Sequence, residues 1–229
     1  MSDDPHPHSP VNPLPPAVML LVLVMVLAEA AFALGARGLL GGAEAVGWRS
    51  AAIRDYGFSN RAVAWMLENG VVRWDYLLRL VTFPFVHFSF THMVFAGVMT
   101  LALGKFVGER LNQLAVLGLF FGSAMLGALV YALILPDGPG LVGAFPGVYG
   151  LIGGFTYLLW VQLGQVGAQQ YRAFSLIGVL LLLQLVFGLL FGARPMWIAD
   201  VAGFCWGFVL CVVLVPGGWR RLRARLRHR

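Results

Sequence analysis

Charge is what this sequence has least of. Only 11% of its 229 residues are Asp, Glu, Lys or Arg, against about a quarter in soluble domains. Together with 59% hydrophobic residues and a mean hydropathy of +0.81, that scarcity excludes an ordinary soluble domain. It points to a chain that crosses a membrane several times. Cysteine is equally scarce. Cys205 and Cys211 are six apart in one apolar segment, so at helical pitch they face different ways and a disulfide between them is disfavoured. Cysteine usage therefore carries no redox signal. No Lys or Arg precedes the first apolar run, which argues against a signal peptide.

The charge that is present is unevenly placed. The net charge is +6, and six arginines fall in the last ten residues, from Arg220 to Arg229. A nucleic-acid tail is one reading of such a run. After a membrane span, a topogenic and lipid-headgroup role is preferred, and no nucleic-acid partner is expected. Residues 1–16 are polar and rich in proline and read as a disordered tail. His6 and His8 lie in it without a spacing that argues for metal.

Six apolar segments follow. The first runs from Ala17 to Gly35 and is read as a retained helix. A signal peptide is the competing reading, because Ala28-Glu29-Ala30 resembles a cleavage site. Glu29 is the acid of this span, either a functional group or a residue near the surface or paired with a neighbour. Residues 36–75 mix arginines with aromatics, among them Trp48, Arg49, Arg54, Tyr56, Arg61, Trp65 and Trp74. This pattern suits short amphipathic helices lying at the bilayer interface. The second span is placed at Leu77–Gly104 with His87 and His92 inside it. The third is placed at Leu114–Leu135, the fourth at Val142–Leu163, the fifth at Phe174–Phe191 and the sixth at Met196–Leu214.

The fourth segment organises the rest. Small residues recur at Gly143, Gly147, Gly150 and Gly154, which at helical pitch clears a face for close helix contact. Gly203 and Gly207 on the sixth span are the natural counterpart. Phe145-Pro146 stands at the mouth of the fourth segment. Proline is tolerated in a first helical turn, so the helix is expected to start there.

Three motifs then occur in order: His87 and His92 five apart, the run from Gly143-Ala144 to Val148-Tyr149-Gly150-Leu151-Ile152-Gly153, and Asp200 followed by Gly203 and Gly207. In these motifs the chain resembles the rhomboid intramembrane serine proteases, over residues 17–216. The resemblance implies an all-α, six-helix membrane domain with a long interfacial first loop, and the run of arginines is read as a basic cytoplasmic tail at 217–229. It also implies the site. In the family a serine in a Gly-x-Ser-Gly step attacks the carbonyl, a histidine on the sixth helix takes its proton, and an asparagine and a histidine on the second helix hold the oxyanion. Here the serine slot is Phe145, the next glycine slot is Pro146, the base slot is Asp200 and the asparagine slot is Ala96. His92 alone keeps its family identity.

A phenyl ring cannot serve as a nucleophile. The only serines inside or bordering the later spans, Ser89, Ser123 and Ser175, do not occupy the motif. The reading is a proteolytically inactive homologue, a rhomboid pseudoprotease without cofactor. It would bind transmembrane segments of client membrane proteins. The alternative is an active serine-type endopeptidase using non-standard residues. His87, His92, Asp200 and Glu29 form a possible polar cluster. Its plain version is a His–Asp hydrogen bond between the second and sixth spans, preferred to a metal site or an ion-handling role. Lys105, Arg110, Arg172 and the arginine-rich tail fall on one face of the six-span topology. This places both termini in the cytoplasm. A compact chain with short loops and no targeting segment favours a bacterial inner membrane.

Overall fold

The computed structural model describes residues 13–192 and 194–215. The expected tails therefore lie almost wholly outside the described residues. What is described is helical, and among the described residues the only β-type pairing is a single bridge between Phe58 and Leu141. Helix α1 spans Pro16–Ala36. Residues 36–82 fold into a 3-10 turn and three short helices, α2 (Trp48–Tyr56), α3 (Asn60–Asn69) and α4 (Trp74–Thr82). The long helices follow: α5 (Phe90–Gly108), α6 (Gln113–Ile134), α7 (Phe145–Gln165), α8 (Ser175–Phe191) and α9 (Trp197–Leu214).

Among the described residues five stretches are long and apolar enough to cross a membrane: α1, α5, α6, the Gln170–Leu190 stretch that contains α8, and α9. Each is close to the roughly 20 residues that a bilayer demands. Their outward faces are apolar, with Leu20, Leu27, Phe95, Leu133, Leu189 and Val209 all exposed. In water such a surface would aggregate, whereas in lipid it is solvated.

Helix α7 is the exception in hydropathy and the centre in packing. It has 21 residues, and every residue from Pro146 to Gly154 is buried. Glycine makes this possible. A Cβ on Gly207 would collide with the Gly150 carbonyl, one on Gly203 with the Pro146 carbonyl, and one on Gly153 with the Phe204 carbonyl. The α7 and α9 backbones therefore touch, as the glycine spacing predicted. Helix α6 joins them through Gly127, whose missing side chain leaves room for the Ala199 carbonyl. On the far side, α1 packs on α5 with Val18 seated against Gly104.

One feature departs from the sequence reading. The second span is not one helix from Leu77 to Gly104. It breaks into α4, a 3-10 turn at Phe83-Pro84-Phe85 and an extended link, and α5 starts only at Phe90. Pro84 removes a backbone donor and ends the α-helix, and Ser89 caps the next one. His87 thus lies in a link and not in a span. Helix α8 stands apart. Ile177 is buried, but Val179, Leu182, Leu185, Phe187 and Leu190 are all exposed.

Candidate functional site

The site forms where α5 and α7 begin. Ser89 Oγ accepts from the His92 backbone N–H at 3.2 Å. This satisfies one of the unpaired amides of the first turn and fixes His92 there. The extended link brings His87 beside it. The two imidazole centroids are 5.2 Å apart, edge to face at 77°. His92 Nδ1 accepts from the Phe88 backbone N–H at 3.4 Å.

The chain enters α7 across these rings. Gly143 has φ +98, a conformation that suits glycine and strains other residues. A Cβ there would lie 2.5 Å from His92 Cε1 and 2.9 Å from His92 Nε2. The Gly143 N–H donates to the Phe83 carbonyl at 2.9 Å, which ties the α7 entrance to the break before α5. Phe145 follows two residues on. Its ring stacks on His92, with centroids 5.2 Å apart and 11° between the planes. Pro146 takes the next helical position. The step is tolerated because first-turn amides lack helical partners. It also deletes one of the N–H groups that a helix start can offer to developing negative charge. Ala96, one turn after His92 on α5, is fully buried and has no polar side-chain atom.

Asp200 is hydrogen-bonded away from the histidines, whereas Glu29 lies near His92 and reaches the His87 carbonyl through Arg49. Asp200 Oδ2 accepts from Gln184 Nε2 of α8 at 3.1 Å. No hydrogen bond joins Asp200 to His87 or His92 among the described residues. The reason is local. His92 Nδ1 is already engaged and one face of its ring is covered by Phe145, whereas Gln184 presents the N–H that a buried carboxylate requires. The Tyr149 hydroxyl lies close to both Gln184 and Asp200, so α7, α8 and α9 share one polar contact. Gln184 Oε1 is buried with no partner.

Glu29 is held instead by Arg49 of α2. The guanidinium donates to Glu29 Oε1 at 2.5 Å and to Oε2 at 2.8 Å, and its Nη1 also donates to the His87 carbonyl at 2.9 Å. The same group lies over the Phe32 ring at 5.3 Å. The hydrogen bond that Arg49 donates to Glu29 raises the Arg49 pKa above its ordinary value, so the guanidinium stays charged. Arg49 braces the link that carries His87. Among the described residues no three His, Cys, Asp or Glu side chains come together in a group that could hold a metal ion. No serine hydroxyl there is hydrogen-bonded to a histidine ring or a carboxylate. Ser89 caps α5, and Ser123 is buried against Gly150 with its Oγ unpartnered.

Arg49 and Gln184 were not singled out as site residues from the sequence. Gln184 had a signal, as the lone amide in a long apolar run. Arg49 had none that tied it to Glu29, twenty residues earlier.

Glycine-mediated contact between two helices, lipid-facing apolar surfaces and polar groups held inside the bundle define an integral membrane protein. A family model described as the Rhomboid domain matches residues 75–217, well over half of the chain, so the chain belongs to the rhomboid domain family. No curated protein matches it.

Proposed function

We propose that this rhomboid-family protein does not hydrolyse peptide bonds and that it binds transmembrane segments of client membrane proteins. The observation that carries the reading is the Phe145 ring stacked on His92, in the place where the family resemblance puts the nucleophile. With no oxygen there, a base has nothing to activate. In a soluble serine protease, removing the nucleophile costs about 10⁶ in turnover. The Ala96 slot lacks a side-chain oxyanion donor as well, a loss of about 3–4 kcal/mol where it has been measured. Asp200 spends its hydrogen bond on Gln184.

Client binding is supported by the cleft between α8 and α9. It has a volume of about 340 Å³ and is lined by Leu181, Leu185, Gly188, Leu189 and Trp197 around Gln184. A lipid-facing cleft that is apolar almost throughout suits the apolar side of a transmembrane helix. In the same reading α7 counts with the five apolar stretches, giving six crossings over residues 17–216. Residues 36–75 lie along one interface, and both termini face the cytoplasm of a bacterial cell, with the basic tail at 217–229.

The test is a cleavage and binding assay in liposomes with a generic single-span substrate. Wild type is expected to retain the substrate, read by energy transfer between labelled partners, and to leave it intact. Cleavage by wild type overturns the inactive reading. It favours the alternative endopeptidase, whose nucleophile a serine-directed phosphonate would then locate. Intact substrate that shows no transfer overturns client binding.

A further inference from the structure

Two cavities adjoin on the flank formed by α3, α4 and the end of α6, away from the site described above. One is polar, about 580 Å³, and is lined by Arg54, Arg61, Arg79, Glu68 and Asp137 beside Trp65. The other is apolar, about 390 Å³, and is lined by Val63, Met66, Leu77, Leu80 and Leu129. Tyr76 lines both. Asp137 lies just past the end of α6 at Ile134, and Leu129 lies five residues inside that end. This is about 8 Å along the axis. The polar cavity therefore sits at the level of the helix end, and the apolar one leads from it towards the middle of the bilayer. Trp65 and Trp74 are exposed nearby, as amphipathic rings at a membrane surface are.

The charges in the polar cavity balance in a telling way. Arg54 is paired with Asp55 at 2.9 Å and Arg61 with Asp137 at 3.2 Å. This leaves Arg79 and Glu68 without an ion pair among the described residues, with Arg79 lying over the Tyr76 ring at 5.2 Å. Arg79 gives Nη1 to the carbonyls of Arg54 at 3.0 Å and Gly57 at 3.5 Å, while its Nε is buried with no partner. Glu68 forms no ion pair or hydrogen bond among the described residues. The Arg79 guanidinium lines the cavity with no carboxylate bonded to it, and phosphate oxygen is the strongest acceptor for such a group at a bilayer surface. A free carboxylate on the same wall seeks a donor cation.

We infer that this flank is a binding site for a glycerophospholipid with a zwitterionic, primary-amine headgroup. The phosphate sits on Arg79, the ammonium on Glu68, and one acyl chain lies in the apolar cavity beyond Tyr76. An anionic headgroup would supply the phosphate but leave Glu68 facing negative charge. A quaternary ammonium would supply the charge but no N–H to donate.

The experiment uses the full chain in a neutral detergent. Its readouts are lipid retention in native mass spectrometry and thermal shift on adding phosphatidylethanolamine, phosphatidylcholine, phosphatidylglycerol or water-soluble glycerophosphoethanolamine. The expected result is retention of phosphatidylethanolamine at least fivefold above the other two lipids, with no shift from the soluble headgroup. Glu68→Gln is expected to abolish the preference over phosphatidylcholine. Val71→Trp, which narrows the apolar cavity from its exposed rim, is expected to weaken retention of all three lipids. Equal or tighter binding of phosphatidylglycerol overturns the zwitterionic assignment, as does a preference that survives Glu68→Gln. A shift from the soluble headgroup equal to that from the lipid overturns the role of the acyl chain. Both variants lie on exposed or rim positions, so unchanged thermal stability without lipid serves as the folding control.

Discussion

At the scale of single residues, the Glu29–Arg49 pair shows how a membrane protein can hold a carboxylate inside. Glu29 is 3% exposed and Arg49 26%, so the acid is desolvated while its partner still reaches water. Removing the partner strands a buried charge, which costs about 3–5 kcal/mol where both ions are fully buried. Because Arg49 is partly solvated, Arg49→Met is expected to fall at the lower end, about 3 kcal/mol. The double change Glu29→Gln with Arg49→Met is expected to recover most of that loss. Unfolding of the purified variants in mixed micelles measures both. A double variant no more stable than Arg49→Met sinks the pairing argument. The pair was not legible in the sequence, because nothing local links position 29 to position 49. That Phe145, Asp200, Ala96 and His92 stand in the family's slots is what the resemblance of three motifs implies. Which polar groups touch was not legible. The sequence joined Asp200 to the histidines, whereas the amide of Gln184 reaches it from a helix that the motifs do not include.

At the scale of elements, the α7–α9 contact is governed by missing side chains. Gly207→Ala places a methyl group into the Gly150 backbone, and helices that meet main chain to main chain can relieve this only by moving apart. The expected loss is about 1–3 kcal/mol. Gly118→Ala is the matched control, since nothing lies within 4 Å of a Cβ there. It is expected to be neutral or to gain up to about 1 kcal/mol, because alanine loses less backbone freedom in a helix. Denaturant titration in mixed micelles separates the two. Equal effects of both changes overturn the close-contact account. This interface was readable from glycine spacing alone, because a small-residue stripe has one geometric use in a buried helix. The break before α5 was harder to read. The run from Leu77 to Gly104 is apolar almost throughout, so hydropathy joins what Pro84 and the Ser89 cap divide. Both signals were present, but a length-based span reading gives them no weight.

At the scale of the whole molecule, the proposed arrangement in the membrane rests on the order of the helices and the placement of positive charge. If α5, α6, α7, α8 and α9 each cross, the α5–α6 and α7–α8 connections lie on one side and the α6–α7 connection lies on the other. Lys105 lies in the last turn of α5, Arg110 in the first connection and Arg172 in the second, and the proposed orientation, which follows the positive bias of short loops, has that side in the cytoplasm. Asp137 then faces outward, on the same side as Arg54, Arg61 and the proposed lipid site. Cysteine accessibility can test this in a background with Cys205→Ala and Cys211→Ala. In intact bacterial cells, a membrane-impermeant maleimide is expected to label Asp137→Cys, which is 85% exposed. Arg172→Cys is expected to react only after permeabilisation. The reverse pattern inverts the whole molecule and would place the arginine-rich tail outside. Labelling of both sites in intact cells means that α7 does not cross. In that case the most buried helix of the bundle lies within the membrane without spanning it, and the count of six crossings falls to five.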